Sequence, residues 1–256
     1  MDYILLGGDA RMAALARLLR REGFDARRTD DPMEAAALLP RAKRVIVNCP
    51  PKLDMDMEAI LALADERAVI FLCGPESRFG DGRLVNLWLD EALLLDNARL
   101  TAEGAVASAM RAGRRSIREQ RCAVIGWGRI GRALTEMLVA LGAATVVASR
   151  DIGHRHRAIE RGAEAIALED LPRVLPETTL IFSTAPAMVL DGETLRRVNR
   201  EAMLIDLASP PYGVDLHAAW SLGLRAWREP GLPGRYCPES AAKALMEAVR
   251  RGEERV

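Results

Sequence analysis

The stretch Arg121-Cys-Ala-Val-Ile-Gly-Trp-Gly-Arg-Ile-Gly131 decides the fold. Its first half, Cys122 to Ile125, is a short apolar run of the buried-strand type, and Gly126, Gly128 and Gly131 follow in G-x-G-x-x-G spacing. An amphipathic helical pattern then runs through Ile130, Leu134, Met137, Leu138 and Leu141 to Gly142. The three glycines differ in role. Gly126 makes the tight turn, Gly128 lets backbone approach a pyrophosphate, and Gly131 lets helix pack closely on strand. Unpaired N–H groups at the helix start face the phosphates, with the positive end of the helix dipole behind them. With a second strand expected at Thr145 to Ala148, the pattern predicts a dinucleotide-binding turn made by Gly126, Trp127, Gly128, Arg129, Ile130 and Gly131. The competing reading is a tight strand-to-helix turn without a ligand.

The residues after that second strand bear on which dinucleotide. NAD sites place an Asp or Glu about 20 residues past the first glycine to hold the ribose 2′-OH, whereas NADP sites set an Arg beside a 2′-phosphate. Here the place is Ala148-Ser149-Arg150-Asp151. Ser149 can hydrogen-bond a phosphate oxygen and Arg150 can pair with its charge, with Arg155 or Arg157 as helpers. NADP is therefore favoured over NAD held by Asp151. The bland reading of Arg150 is a solvated charge at the opening of the next helix.

At 256 residues, half of them apolar, the chain suits two modest domains or one large one. Its 36 basic and 36 acidic residues balance, so nothing asks for nucleic acid or an anionic membrane as partner. The cysteines Cys49, Cys73, Cys122 and Cys237 are far apart without a C-x-x-C, which suits reduced thiols in a cytoplasmic protein. Two of the three histidines lie in the run His154-Arg155-His156, and no metal site is expected. The opening residues Met1 to Leu6 lack the features of a signal peptide, and no apolar run nears the length of a membrane span.

Strands alternating with helices run through the whole chain, which predicts an α/β protein of two domains with parallel sheets. Residues 1–100 are expected to form an amino-terminal domain with a flavodoxin-like parallel sheet, and 101–119 a linking helix capped by Thr101. Residues 120–234 form the NAD(P)-binding Rossmann domain, and 235–256 a carboxy-terminal helix that packs back on the first domain. In the first domain, strand Tyr3 to Leu6 meets the turn Gly7-Gly-Asp-Ala-Arg11, where Asp9 is a helix N-cap and Arg11 either a solvated charge or a carboxylate binder. Ser77 to Arg83 is expected to carry no helix, and the basic run Arg111 to Arg121 to be a solvated linker face. In the second domain, a strand ends at Ser183-Thr184-Ala185-Pro186, at the edge where a nicotinamide would sit. Another ends at Asp206-Leu-Ala-Ser209, which adds Ala208 and Ser209 to the cofactor candidates.

Taken together, Gly7-Gly-Asp-Ala-Arg11, Gly126-Trp-Gly-Arg-Ile-Gly131, Ala148-Ser-Arg150, Ser183-Thr-Ala-Pro186, Leu204-Ile-Asp-Leu-Ala-Ser209 and Pro230-Gly-Leu-Pro-Gly234 resemble one family, the A subunit of dipicolinate synthase. The resemblance implies an NADP-type oxidoreductase that forms dipicolinate from dihydrodipicolinate, or from its hydroxylated precursor, during endospore formation. It also implies that the partner is a flavoprotein B subunit, in the cytoplasm of the mother cell; a homodimer is a prior for such two-domain dehydrogenases. On this reading a dicarboxylate substrate lies in the cleft between the domains. Its carboxylates are held by Arg11 and by the glycine turns Gly8-Asp9 and Pro233-Gly234. Glu103 is a further candidate for the cleft, beside the plainer reading of a helix-start carboxylate. Asp206 is a candidate proton acceptor, with a structural hydrogen-bonding role at a strand end as the alternative. Two departures stand out. The family's Pro-Gly-Gly is Pro211-Tyr212-Gly213 here, and the segment after Cys73-Gly74-Pro75 is short. The rival readings are a 2-hydroxy-acid dehydrogenase, which would need an acid/base histidine that this chain lacks after Glu229-Pro230, and a non-catalytic nucleotide-binding regulatory subunit.

Overall fold

The computed structural model describes residues 1–48, 56–74 and 82–254. The chain divides into two compact units, Met1–Asn97 with Pro233–Val256, and Ala98–Leu232.

The first unit is built on β1 (Tyr3–Leu6), β2 (Ala26–Thr29), β3 (Arg44–Asn48), β4 (Val69–Cys73) and β5 (Leu84–Asn86). Helices α1 (Ala10–Arg21), α2 (Pro32–Leu38) and α3 (Met57–Leu63) lie between them in sequence. All pairings are parallel and the order is β2-β1-β3-β4-β5, the flavodoxin-like arrangement expected. Side chains alternate along β1. Tyr3 and Leu5 join a core with Met12, Leu15, Leu19 and Leu245, while Ile4 and Leu6 join another with Val45, Val47 and Ile60. Both faces are therefore covered, as parallel sheets require, and each fully buried Leu or Ile contributes roughly 1.5–3 kcal/mol.

The carboxy-terminal helix Pro238–Glu253 supplies Ala242, Leu245, Met246 and Val249 to the first of these cores, so it packs back on the amino-terminal unit as expected. Its last turn is pinned twice. The Arg251 guanidinium donates to both carboxylate oxygens of Asp90, at 2.8 and 2.9 Å, and Tyr3 Oη donates to Glu253 at 2.9 Å. Burial, and then that hydrogen bond, hold the Tyr3 phenol above its ordinary pKa.

The linking helix differs from expectation. Helix α4 runs Glu91–Ala112, eleven residues longer at its start than a cap at Thr101 allows, and residues 113–119 are outside it. Asp90 explains the difference: its carboxylate accepts the Leu93 N–H at 2.8 Å and so starts the helix earlier. The apolar run Ala92 to Leu95 belongs to this helix, and Thr101 is a buried residue of its middle. Nothing in the sequence announces β5, whose three half-buried residues show no alternation to read. The expectation for Ser77 to Arg83 falls mostly on residues outside those described.

The second unit holds β6 (Arg121–Ile125), β7 (Ala144–Ala148), β8 (Glu164–Ile166), β9 (Leu180–Ser183), β10 (Met203–Asp206) and β11 (Arg225–Arg228). Their order is β11-β10-β9-β6-β7-β8, all parallel, which is the Rossmann order 3-2-1-4-5-6 counted from β6. The order reverses between β6 and β9, so their carboxyl ends flank the crevice where such sheets bind ligands. Helices α5 (Arg129–Ala140) and α6 (Ile152–Glu160) follow β6 and β7. Among the described residues no helix is long and apolar enough to cross a membrane.

Candidate dinucleotide site

The turn after β6 gives Gly126 and Gly131 the turn and packing roles their spacing implies. Gly126 has φ +103°, and a Cβ there would stand 2.7 Å from Thr184 Oγ1. At Gly131 a Cβ would lie 2.3 Å from the Gly126 carbonyl oxygen, so α5 can approach β6 only without a side chain there. Gly128 is different: apart from its immediate chain neighbours, no atom of the described residues comes within 4 Å of its Cβ position. Its backbone is extended, so neither conformation nor protein packing demands glycine there. The position opens onto free space.

Helix starts point the same way. Asp9, Asp31, Asp56 and Asp151 cap α1, α2, α3 and α6 with their carboxylates, whereas α5 begins at Gly128 with no side-chain cap. Its first-turn N–H groups are left for an anion. Across the switch point Thr184 Oγ1 donates to the Ile125 carbonyl at 2.9 Å, which fixes the end of β9 against the end of β6.

A cavity of about 270 Å³ opens beside this turn, lined by Gly126, Trp127, Gly128, Ser149, Arg150, Thr184, Ala185 and Pro186 among others. These candidates come together although 60 residues of sequence separate Gly126 from Pro186. Arg129 and Ile130 are in the first turn of α5 rather than on the cavity wall, and Ala208 and Ser209 are not part of that wall either. Four wall residues, Ile125, Ala148, His154 and Leu168, are absent from the sequence-based candidates. His154 Nδ1 lies 3.4 Å from Ser149 Oγ, and its place one turn into α6, after the Asp151 cap, is the signal that could have found it.

The Ser149 side of the cavity separates its charged residues. Asp151 is engaged as the α6 cap, accepting the His154 N–H at 2.7 Å, and that bond is the first cause holding its carboxyl below the usual pKa. Arg155 NH1 donates to the Ser149 and Arg150 carbonyls, each at 2.9 Å, so this guanidinium braces the loop with one nitrogen and keeps its charge. Arg150 remains exposed at the cavity wall beside the Ser149 hydroxyl.

Asp206 is 1% exposed and belongs to a closed network. Its carboxylate accepts N–H bonds from Ala208 at 3.2 Å, from Gly213 at 3.3 Å and from Val214 at 3.3 Å, with Arg228 Nε at 3.5 Å. That arrangement fits the structural alternative, not the proton acceptor. Tyr212 has φ +69°, which accounts for glycine at this place in the resembled pattern, and its ring lies 3.7 Å beneath the Arg228 guanidinium.

In the first unit Gly8, at φ +92°, turns the chain into α1. Arg11 donates from Nε to both Asp9 oxygens at 3.0 Å and from NH2 to one of them at 2.9 Å, leaving NH1 3.5 Å from Asn97 Oδ1. Gly234 closes on the same group, for a Cβ there would meet Asp9 Oδ2 at 2.3 Å. Pro233 is buried beside it. Glu103 is an exposed residue of α4 within the other unit and is far from the helix start. Among the described residues no group of three or more His, Cys, Asp or Glu side chains is placed to hold a metal.

Residues 94–210 match the family model for the NAD binding domain of D-isomer specific 2-hydroxyacid dehydrogenases. A relative, the A subunit of dipicolinate synthase from Bacillus subtilis (strain 168), is 29% identical over 167 residues, 65% of this chain and 56% of the relative. This chain resembles the A subunit of dipicolinate synthase. The fold agrees. The crystal structure of the A subunit of dipicolinate synthase from Bacillus halodurans superposes with a TM-score of 0.81 at 23% identity, over 98% of this chain and 97% of that one. The corresponding polypeptide from Bacillus subtilis gives 0.78 at 23% identity, over 98% and 95%. D-lactate dehydrogenase from Salmonella gives 0.64 at 13% identity, over 98% and 95%. The sequence match spans little more than half of the curated relative's length.

Proposed function

We propose that this chain is an NADP-dependent oxidoreductase, the nucleotide-binding A subunit of a dipicolinate synthase. Its substrate is dihydrodipicolinate or its hydroxylated precursor, and its product dipicolinate. The observation that carries this reading is the sequence match to the Bacillus subtilis protein over 65% of the chain. It acts beside a flavoprotein B subunit in the cytoplasm of a sporulating cell.

The uncapped start of α5 and the open space over Gly128 suit the pyrophosphate, and Ser149 with Arg150 suits a 2′-phosphate. When bound, the nicotinamide supplies the hydride-accepting ring. In the first unit Asp9 holds one edge of the Arg11 guanidinium rigid, and the NH1 edge serves a substrate carboxylate. Aromatisation drives loss of hydride and proton from dihydrodipicolinate, which the hydroxylated precursor reaches by losing water, so orientation matters more than a strong base, and the proton leaves to solvent. Asp206, already satisfied by three N–H donors, is not assigned that proton.

Replacing Arg150 by Ala is expected to weaken NADPH about tenfold, the worth of one charge-assisted phosphate contact, while NADH affinity stays within about twofold. Equal losses for both coenzymes would remove Arg150 from the 2′ site. The reaction itself is tested by mixing the protein with NADP and dihydrodipicolinate. Appearance of dipicolinate absorbance is the expected result, and appearance only when the flavoprotein is added would assign the chemistry to that partner. The 2-hydroxyacid dehydrogenase reading, favoured by the match over residues 94–210, predicts turnover of 2-hydroxy acids instead.

A further inference from the structure

The basic run after α4 reads in the sequence as a plain solvated face, yet Arg114 and Arg115 border a cavity of about 630 Å³ together with Arg200 and Arg225. Its floor includes Gln120, Thr179 and Met203. These residues sit at or just before the starts of β6, β9, β10 and β11, so the cavity lies at the amino edge of the second sheet. The dinucleotide cavity opens at the opposite, carboxyl edge.

Charge decides what this cavity can take. Four guanidinium groups face one carboxylate, Glu201, which pairs with Arg115 at 3.3 Å. Arg225 donates to the Ala112 carbonyl at 2.6 Å and Arg200 to the Leu222 carbonyl, but a carbonyl partner orients a guanidinium without cancelling its charge. Arg114 makes no hydrogen bond or ion pair with the described residues. Basic residues after a helix ordinarily answer its negative end, and here α4 ends at Ala112; that end is worth only about half a charge. One carboxylate and half a charge leave about 2.5 positive charges unanswered around one concavity. The volume falls in the range of small-molecule sites, roughly 300–1,000 Å³. Guanidinium forks match phosphate and carboxylate oxygens in pairs.

We propose that this amino-edge cavity is a second binding site, separate from the dinucleotide site, for a small multivalent oxyanion such as a phosphorylated metabolite. Inorganic pyrophosphate is the probe, titrated calorimetrically into the full chain at about 0.15 M salt, where exposed charge pairs are already screened. Binding with a submillimolar Kd is expected, weakened at least tenfold by the double substitution Arg114→Gln with Arg115→Gln and by Arg200→Glu. NADPH affinity in both variants should stay at the wild-type value, which also certifies their folding. Saturating NADPH, which fills the dinucleotide turn, should leave pyrophosphate binding intact. Absence of pyrophosphate binding, binding displaced by NADPH, or binding kept at full strength in the arginine variants overturns the proposal.

Discussion

Asp206→Ala is expected to lower the melting temperature by about 10 °C while leaving NADPH affinity within about threefold of wild type. The carboxylate is buried and takes three backbone N–H bonds from the loop after β10, and Gly213 and Val214 are themselves buried. Alanine leaves those donors without a partner, at about 1 kcal/mol or more for each buried one. Arg228 loses less, because it is 36% exposed and water can replace its partner. The sum is about 3 kcal/mol, and for a chain of this size each kcal/mol moves the midpoint by roughly 2–4 °C. Asp206→Asn keeps one acceptor oxygen and should fall between. A catalytic Asp206 predicts the reverse pattern, an unchanged midpoint with turnover lost. Calorimetry on both variants separates the two.

The same residue shows where sequence stops being informative. The spacing of Asp206, Gly213 and Arg228 carries no period, and only the placing of β10 beside β11 brings them together. Strands such as Cys122 to Ile125 and Tyr3 to Leu6 are legible because fully buried parallel strands are continuous apolar runs between turn residues. Gly126, Gly128 and Gly131 are legible because their chemistry fixes their spacing. The start of α4 is not, since Thr101 offers a cap-type side chain in mid-helix and the true start is set by Asp90. Arg155 and Arg150 look alike in the sequence; only geometry shows that Arg155 NH1 is bonded to two carbonyls of the loop. The amino-edge cavity gathers Arg114 and Arg200 from two connections and Arg225 from the start of β11, so no local pattern announces it.

Gly128→Val carries the largest expected effect on binding, a loss of more than roughly 100-fold in NADPH affinity. The fold should scarcely notice the change. The backbone at this position, φ −72° and ψ −169°, is extended, a conformation that β-branched residues adopt freely, and among the described residues beyond its chain neighbours no atom lies within 4 Å of the Cβ position. The remaining cost is a poorer N-cap, about 1 kcal/mol, or roughly 2–4 °C. The methyl groups would instead occupy the space where a pyrophosphate meets the uncapped N–H groups of α5. Gly131→Ala is the contrasting case, because its Cβ would strike the Gly126 carbonyl oxygen at 2.3 Å and should destabilise the protein itself by about 1–3 kcal/mol.

Whether a phosphate-bearing coenzyme lies on the turn after β6 is tested most directly by a fluorescence titration of wild type and Gly128→Val with NADPH. Saturable binding by wild type is expected, with a Kd of roughly micromolar order, and next to none by a variant that melts within a few degrees of it. NADPH binding that Gly128→Val leaves unchanged, or a wild type that does not bind NADPH at all, would contradict that placement of the coenzyme.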